Sequence, residues 1–163
     1  MAKQSMTNAE VLALLAAAPQ RIAALTAGLA PAQLHDPPAP DAWPLNEILA
    51  HLRACGDMWG ECIAEIIAHD HPTLKAINPR TWIDKTDYRE QTFAASLDAF
   101  TEQRTGLLAV LESLTPEGWE RAATVMVAGK PLERTVRFYA EWLASHERSH
   151  LKSIERIVRA LRA

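Results

Sequence analysis

Residues 139–151 have the sequence Tyr-Ala-Glu-Trp-Leu-Ala-Ser-His-Glu-Arg-Ser-His-Leu, in which His146 and His150 are four positions apart. On an α-helix, side chains at this spacing lie on one face, one turn apart. Apolar residues continue the same helical stripe on both sides, namely Leu132, Val136, Tyr139 and Leu143 before the histidines and Ile154, Ile157 and Leu161 after them. The stretch therefore predicts a long helix, from about Pro131 to Leu161, whose buried face carries two imidazoles.

Three further segments have the same periodicity, and they span about Asn8–Leu29, Pro44–Ala68 and Glu90–Leu114. Thr7 and Glu10 have the spacing of a capping box at the start of the first segment. A proline-rich loop follows the first segment, and a long connection to about Arg89 follows the second. We predict one all-α domain over residues 1–163, a four-helix bundle with two longer crossover connections.

The connection between the third and fourth predicted helices also contains recognisable local sequence patterns. Thr115-Pro-Glu is typical of the cap of one short extra helical turn. The next residues, 121–130, include Thr-Val-Met-Val at 124–127 and a glycine at 129, a pattern that favours a short extended segment.

Composition excludes some function classes. The chain has 163 residues, 48% of them apolar, and a formal net charge of -3, which argues against binding nucleic acid through a basic face.

Cys55 and Cys62 are about 10 Å apart along a helix axis, too far for a disulfide, so we expect a reducing, cytoplasmic setting. The apolar run Val11–Ala18 is interpreted as part of the first bundle helix and not as a signal sequence, and no membrane association is expected.

His51 is the third histidine of interest, because it lies beside the apolar stripe of the second predicted helix. If the second and fourth helices pack together, His51, His146 and His150 can meet. Three imidazoles with a position left open are typical of catalytic zinc sites, although nitrogen donors also suit nickel, copper, iron and cobalt. The alternative is that the three histidines are merely buried and hydrogen-bonded to neighbouring helices.

Two stretches resemble the signatures of the DinB-like (DinB/YfiT-like) family of four-helix bundles. One is Trp43-Pro-Leu-Asn-Glu-Ile-Leu-Ala-His51-Leu, followed by Trp59, and the other is the stretch 139–151. The order of the elements between them fits as well. The resemblance implies a divalent metal ion, commonly zinc or nickel, held by His51, His146 and His150.

The resemblance also implies candidate activities. Relatives include S-transferases and isomerases that use mycothiol, bacillithiol or glutathione, so a low-molecular-weight thiol is a candidate cosubstrate. We expect a metal-dependent enzyme acting on a small molecule, either a thiol S-transferase or a hydrolase. The alternatives are a non-catalytic metal-binding or stress-response protein and a plain helical interaction module. A homodimer is expected from the long apolar helices and the five tryptophans.

Some residues near the three histidines have two interpretations. Cys55 is either a buried small residue, the commoner role, or an extra metal ligand. Glu47 either orients His51 or is a solvated carboxylate in the first turn of its helix. Glu147 is predicted to lie on the surface, and Trp43 and Trp142 to form walls of the metal pocket. No side chain is indicated as a general base.

Overall fold

A computed structural model of the chain describes residues 5–163. Its helices are α1 (Asn8–Thr26), α2 (Pro31–His35), α3 (Leu45–Ala68), α4 (Pro79–Ile83), α5 (Phe93–Glu112), α6 (Pro116–Trp119) and α7 (Val136–Arg162), with a 3-10 turn at Tyr88–Glu90. Its strands are β1 (Thr73–Lys75), β2 (Ala122–Val127) and β3 (Lys130–Thr135). The four long helices form the bundle that the apolar periodicity predicts.

The order of helices around the bundle differs from their order along the chain. Around the bundle, α1 is followed by α7, α3 and α5, so α1 and α3 lie diagonally opposite each other, as do α5 and α7. The connections from α1 to α3 (residues 27–44) and from α5 to α7 (residues 113–135) therefore cross between diagonal helices, whereas residues 69–92 join the neighbouring helices α3 and α5. This arrangement makes α3 and α7 direct neighbours, which the convergence of the histidines requires.

Helix α1 begins at the predicted capping box. The Thr7 hydroxyl accepts a hydrogen bond from the Glu10 amide, and the Glu10 carboxylate accepts one from the Thr7 amide. By length and composition alone this helix could cross a membrane. Its apolar stripe is nevertheless buried in the bundle, at Val11, Leu15, Ala18 and Ile22.

The start of the last helix was predicted wrongly. Lys130–Thr135 is a strand that pairs antiparallel with β2, and α7 begins only at Val136, where the Thr135 hydroxyl caps it. The backbones of Ala128 and Gly129 both have positive φ, which is characteristic of a two-residue hairpin turn. Leu132 is therefore on a strand and is 38% exposed, although its spacing matched the helical stripe.

The rest of the small sheet comes from the connection between α3 and α5. Strand β1 pairs in parallel with β2, so the sheet order is β1-β2-β3. Extended structure after residue 121 is confirmed, but β1 and α4 lie where only a loop was predicted. Helix α5 begins at Phe93, capped by Thr92, and not at Glu90.

A buried ion pair lies at the centre of the bundle. Arg104 of α5 is 1% exposed and Glu147 of α7 is 2% exposed. Both terminal nitrogens of Arg104 donate to the Glu147 carboxylate, with Nη1 2.7 Å from Oε1, and Nη1 also donates to the Leu15 carbonyl at 2.9 Å. The prediction that Glu147 lies on the surface is wrong. The pair joins two diagonal helices and α1, and it constrains the rotation of α7 next to His146.

Replacing Arg104 by methionine should destabilise the protein strongly. The Glu147 carboxylate would remain buried without its partner, and breaking such a pair costs about 3–5 kcal/mol. The double variant R104M/E147L should lose less than R104M, because no uncompensated charge remains buried. Urea unfolding followed by circular dichroism measures both changes.

The exposed pair of Arg21 and Glu155 provides the control, because both side chains are partly solvated. R21M should cost less than about 1 kcal/mol. An R104M variant as stable as R21M would contradict a structural role for the central pair.

Candidate metal centre

The three predicted histidines meet between α3 and α7. Nε2 of His146 lies 3.2 Å from Nε2 of His51 and 3.2 Å from Nε2 of His150. The ring centroids of His51 and His150 are 5.0 Å apart. Each imidazole is half-buried. Three nitrogen donors from two helices therefore converge on one point.

Hydrogen bonding within residues 5–163 cannot satisfy both nitrogens of His146. An imidazole nitrogen carries either one proton or one lone pair, so Nε2 of His146 cannot form well-directed hydrogen bonds to both neighbours. The Nδ1 atom of the same ring is buried and has no partner among residues 5–163. A cation that accepts one lone pair from each ring removes the conflict at Nε2.

The spacing of the nitrogens suits a first-row metal ion. Two nitrogens bound tetrahedrally to zinc at about 2.0–2.1 Å are about 3.3–3.4 Å apart. The two Nε2–Nε2 distances of 3.2 Å are close to that value. The donor set and its geometry therefore fit a divalent metal ion.

The environment keeps the imidazoles neutral, which is the form that binds metals. Burial is the main cause, and together with the nearby His150 and Arg80 it lowers the pKa of His51 from 6.5 to about 4. Burial, with His150 and His51, lowers the pKa of His146 to about 4. Burial also lowers the pKa of His150. These rings carry free lone pairs at neutral pH.

Cys55 is a fourth possible donor. Its Sγ is 3.6 Å from Nε2 of His51, and His51, Cys55 and His146 each offer an atom within 4.8 Å of the other two. A sulfur and a nitrogen bound tetrahedrally to zinc are about 3.6 Å apart. Burial, with a contribution from Glu147, raises the pKa of the Cys55 thiol to about 12. Without a metal the thiol is therefore protonated.

Aromatic rings surround the histidines. Trp43 packs edge-on against His51 at 5.5 Å, and Trp59 packs edge-on against His146 at 5.5 Å. Trp142 contacts Trp59 and not a histidine ring among the aromatic contacts of residues 5–163. Trp43 therefore lies where a wall of the site was predicted, whereas Trp142 is separated from His146 by Trp59.

A cavity of about 200 Å³ reaches His51 from outside. Arg80, Asp84 and Arg89 line it, and all three belong to the connection that was predicted as a possible cover. Glu47 also lines this cavity, but its carboxylate pairs with Arg89 at 3.2 Å. The side chains of α4 and the following turn therefore surround the entrance to the histidine cluster.

The other histidines lie elsewhere. His35 accepts a hydrogen bond from the Phe93 amide. His69 is close to Glu65, and His71 pairs with Glu133 at 2.8 Å. None of these three belongs to the candidate centre.

Sequence reasoning missed two contributors to the site. Arg80 lies on α4, lines the entrance and contributes to the lowered pKa of His51, but one exposed arginine in a segment predicted as a loop carries no sequence signal. Arg104 holds Glu147 in the bundle. Its position three residues before Leu107 on the apolar stripe was a usable signal, because arginine there breaks the hydrophobic pattern.

Comparison with known proteins places the chain in a family. The sequence profile of the DinB superfamily matches residues 14–154, most of the chain. The protein belongs to the DinB superfamily. No curated protein matches the chain.

A solved structure has the same fold. The structure is that of YfiT from Bacillus subtilis, described as a probable metal-dependent hydrolase with an unusual four-helix bundle topology. The TM-score is 0.81 at 15% sequence identity, over 99% of this chain and 93% of that one. This similarity confirms the four-helix bundle.

The stability of the metal-free protein should fall between about pH 6.5 and about pH 4. In that window the unfolded chain protonates histidines at positions 51 and 146, whereas the folded state resists protonation because their pKa values are lowered to about 4. The unfolded state therefore binds more protons, and the free energy of unfolding decreases as the pH falls. Urea unfolding at several pH values, with chelator present, measures this slope.

The triple variant H51Q/H146Q/H150Q is the matched control, because glutamine does not titrate. Its stability should depend less on pH over the same window. Equal slopes for the two proteins would contradict the lowered pKa values.

Proposed function

We propose that this protein is a metal-dependent hydrolase whose divalent ion, zinc or nickel, is held by His51, His146 and His150. The observation that carries the proposal is that Nε2 of His146 lies 3.2 Å from Nε2 of His51 and 3.2 Å from Nε2 of His150. The description of the similarly folded YfiT as a probable metal-dependent hydrolase supports it. Three protein ligands with an exchangeable position are typical of catalytic zinc sites.

Each part of the site has a role in this proposal. The three imidazoles bind the ion, and the pair of Arg104 and Glu147 positions α7 so that His146 and His150 face α3. A bound divalent ion would supply Lewis acidity and lower the pKa of a coordinated water. The cavity beside His51 admits the substrate, and Arg80 at its rim favours a substrate with a negative charge.

Thiol S-transfer is the second candidate, because a metal ion with an open position can also bind a thiolate from mycothiol, bacillithiol or glutathione. The arginine at the cavity rim suits the carboxylates of bacillithiol and glutathione as well. The alternative from a different functional class is a metal-binding protein without catalytic activity. The three proposals share the metal ligands and differ in the reaction.

The purified protein, without a histidine tag, should bind close to one equivalent of zinc or nickel. Replacing His51, His146 or His150 by alanine should weaken binding by more than about 100-fold, since losing even a residue that only orients a ligand costs about 10–100-fold. Competition with a chromophoric chelator measures the affinity. H69A is the control and should bind like the wild type, because His69 lies outside the centre.

Cobalt substitution should show whether Cys55 is also a ligand. A thiolate bound to cobalt adds a strong near-ultraviolet absorption band, whereas a centre of three histidines and water lacks it. C55S should abolish any such band and C62S should leave it unchanged, because Cys62 is not among the clustered donors. A cobalt protein without the band retains the exchangeable position that hydrolysis requires.

The activity test uses the metal-loaded protein with a panel of carboxylic esters, amides and phosphate esters. Hydrolysis without added thiol, lost in H146A, would support the proposal. Turnover of an electrophile only with a low-molecular-weight thiol would support the transferase instead. A fully loaded protein inactive in both assays would favour the non-catalytic centre.

A further inference from the structure

A second cavity lies on the opposite side of Trp59 from the histidine cluster. Its volume is about 260 Å³, and it is bounded by α3, α7 and the small sheet. Its walls are largely aromatic and aliphatic, formed by Met58, Trp59, Val125, Phe138, Tyr139 and Trp142. Apolar, concave surfaces of this kind are typical of small-molecule sites, and the volume, slightly below their usual range of about 300–1,000 Å³, suits only a small ligand.

The rim of this cavity concentrates exposed apolar surface. Ile77, Val127 and Trp142 line it, and they are 41%, 38% and 48% exposed. Within residues 5–163 they are half of the six large hydrophobic side chains that are exposed. Isolated exposed hydrophobic residues are common, but their grouping around one cavity indicates a binding surface.

The charged side chains that line this cavity are both cationic. Two cations, Lys75 of β1 and Arg134 of β3, are part of its lining, and no carboxylate is among the lining residues. Neither cation forms a salt bridge with a carboxylate in the described part of the chain. The Arg134 guanidinium instead lies over the Phe138 ring, 4.2 Å from its centroid. Unpaired cations beside an apolar cavity favour a ligand that is apolar and negatively charged.

We propose that this cavity binds a small aromatic carboxylate. The ring would pack against the corner that Trp59 and Trp142 form where they meet edge-on at 5.8 Å, and the carboxylate would pair with Lys75 and Arg134. The edge of Trp59 contacts His146, so the ligand would lie one indole ring away from the candidate metal centre. The proposal does not depend on metal binding or on hydrolysis.

The probe is 2-naphthoate, and its neutral counterpart is 2-naphthalenemethanol, which has the same ring system without the charge. Isothermal titration calorimetry on metal-free and metal-loaded protein measures both. Naphthoate should bind at least 10-fold more tightly than the alcohol. The double variant K75M/R134M should weaken naphthoate binding at least 10-fold and leave alcohol binding unchanged.

The control K152M/R156M removes the same number of charges from the exposed face of α7 and should bind naphthoate like the wild type. Thermal melts of both double variants check that they fold. Equal affinities for naphthoate and the alcohol, equal losses in the two double variants, or no binding at all would overturn the proposal. So would sedimentation showing a dimer that W142A dissociates, because a second copy would then cover the cavity.

These outcomes are independent of the proposed hydrolase. The titration requires neither turnover nor a bound ion, so a failure here leaves the histidine centre untouched. Equally, a protein that binds no metal could still bind naphthoate through Lys75 and Arg134.

Discussion

The buried pair of Arg104 and Glu147 is the constraint on which the rest of the structure depends. Taking two charges out of water is costly, so the pair is tolerated only where its geometry is satisfied. Both terminal nitrogens of the guanidinium donate to the carboxylate, and Nη1 also donates to the Leu15 carbonyl, which leaves Nε of Arg104 without a partner among residues 5–163. Helices α1, α5 and α7 are thereby held in one register. Since Glu147 points to the centre of the bundle, the adjacent His146 turns toward α3.

The candidate metal centre follows from that orientation. One turn of α7 supplies two imidazoles, and α3 supplies the third together with the thiol of Cys55. On one side, a polar cavity reaches His51 between the arginines of the α3–α5 connection. On the other side, Trp59 separates the centre from an apolar cavity with two cations. The two cavities differ in chemistry because one is formed by a polar connection and the other by helix faces and the sheet.

Much of this architecture is predictable from local patterns. The capping box at Thr7 and the apolar stripes place the long helices, and the spacing of His146 and His150 places both on one face. The predictions failed where local and tertiary preferences conflict. Leu132 continues the stripe of α7, but β2 provides a partner for its backbone and the turn at Ala128 and Gly129 returns the chain beside it. Glu147 is charged, and only its pairing with a distant arginine allows burial.

The sequence by itself determined the four long helices apart from their exact ends, the family signatures that they carry and the three candidate histidines, because these depend on residues close together in the chain. Only the tertiary structure decided that α3 lies beside α7 while α1 and α3 are diagonal. It also decided that Arg104 meets Glu147, and that Lys75 and Arg134 share a cavity. Such contacts join residues far apart in sequence, so their geometry exists only once the helices have packed.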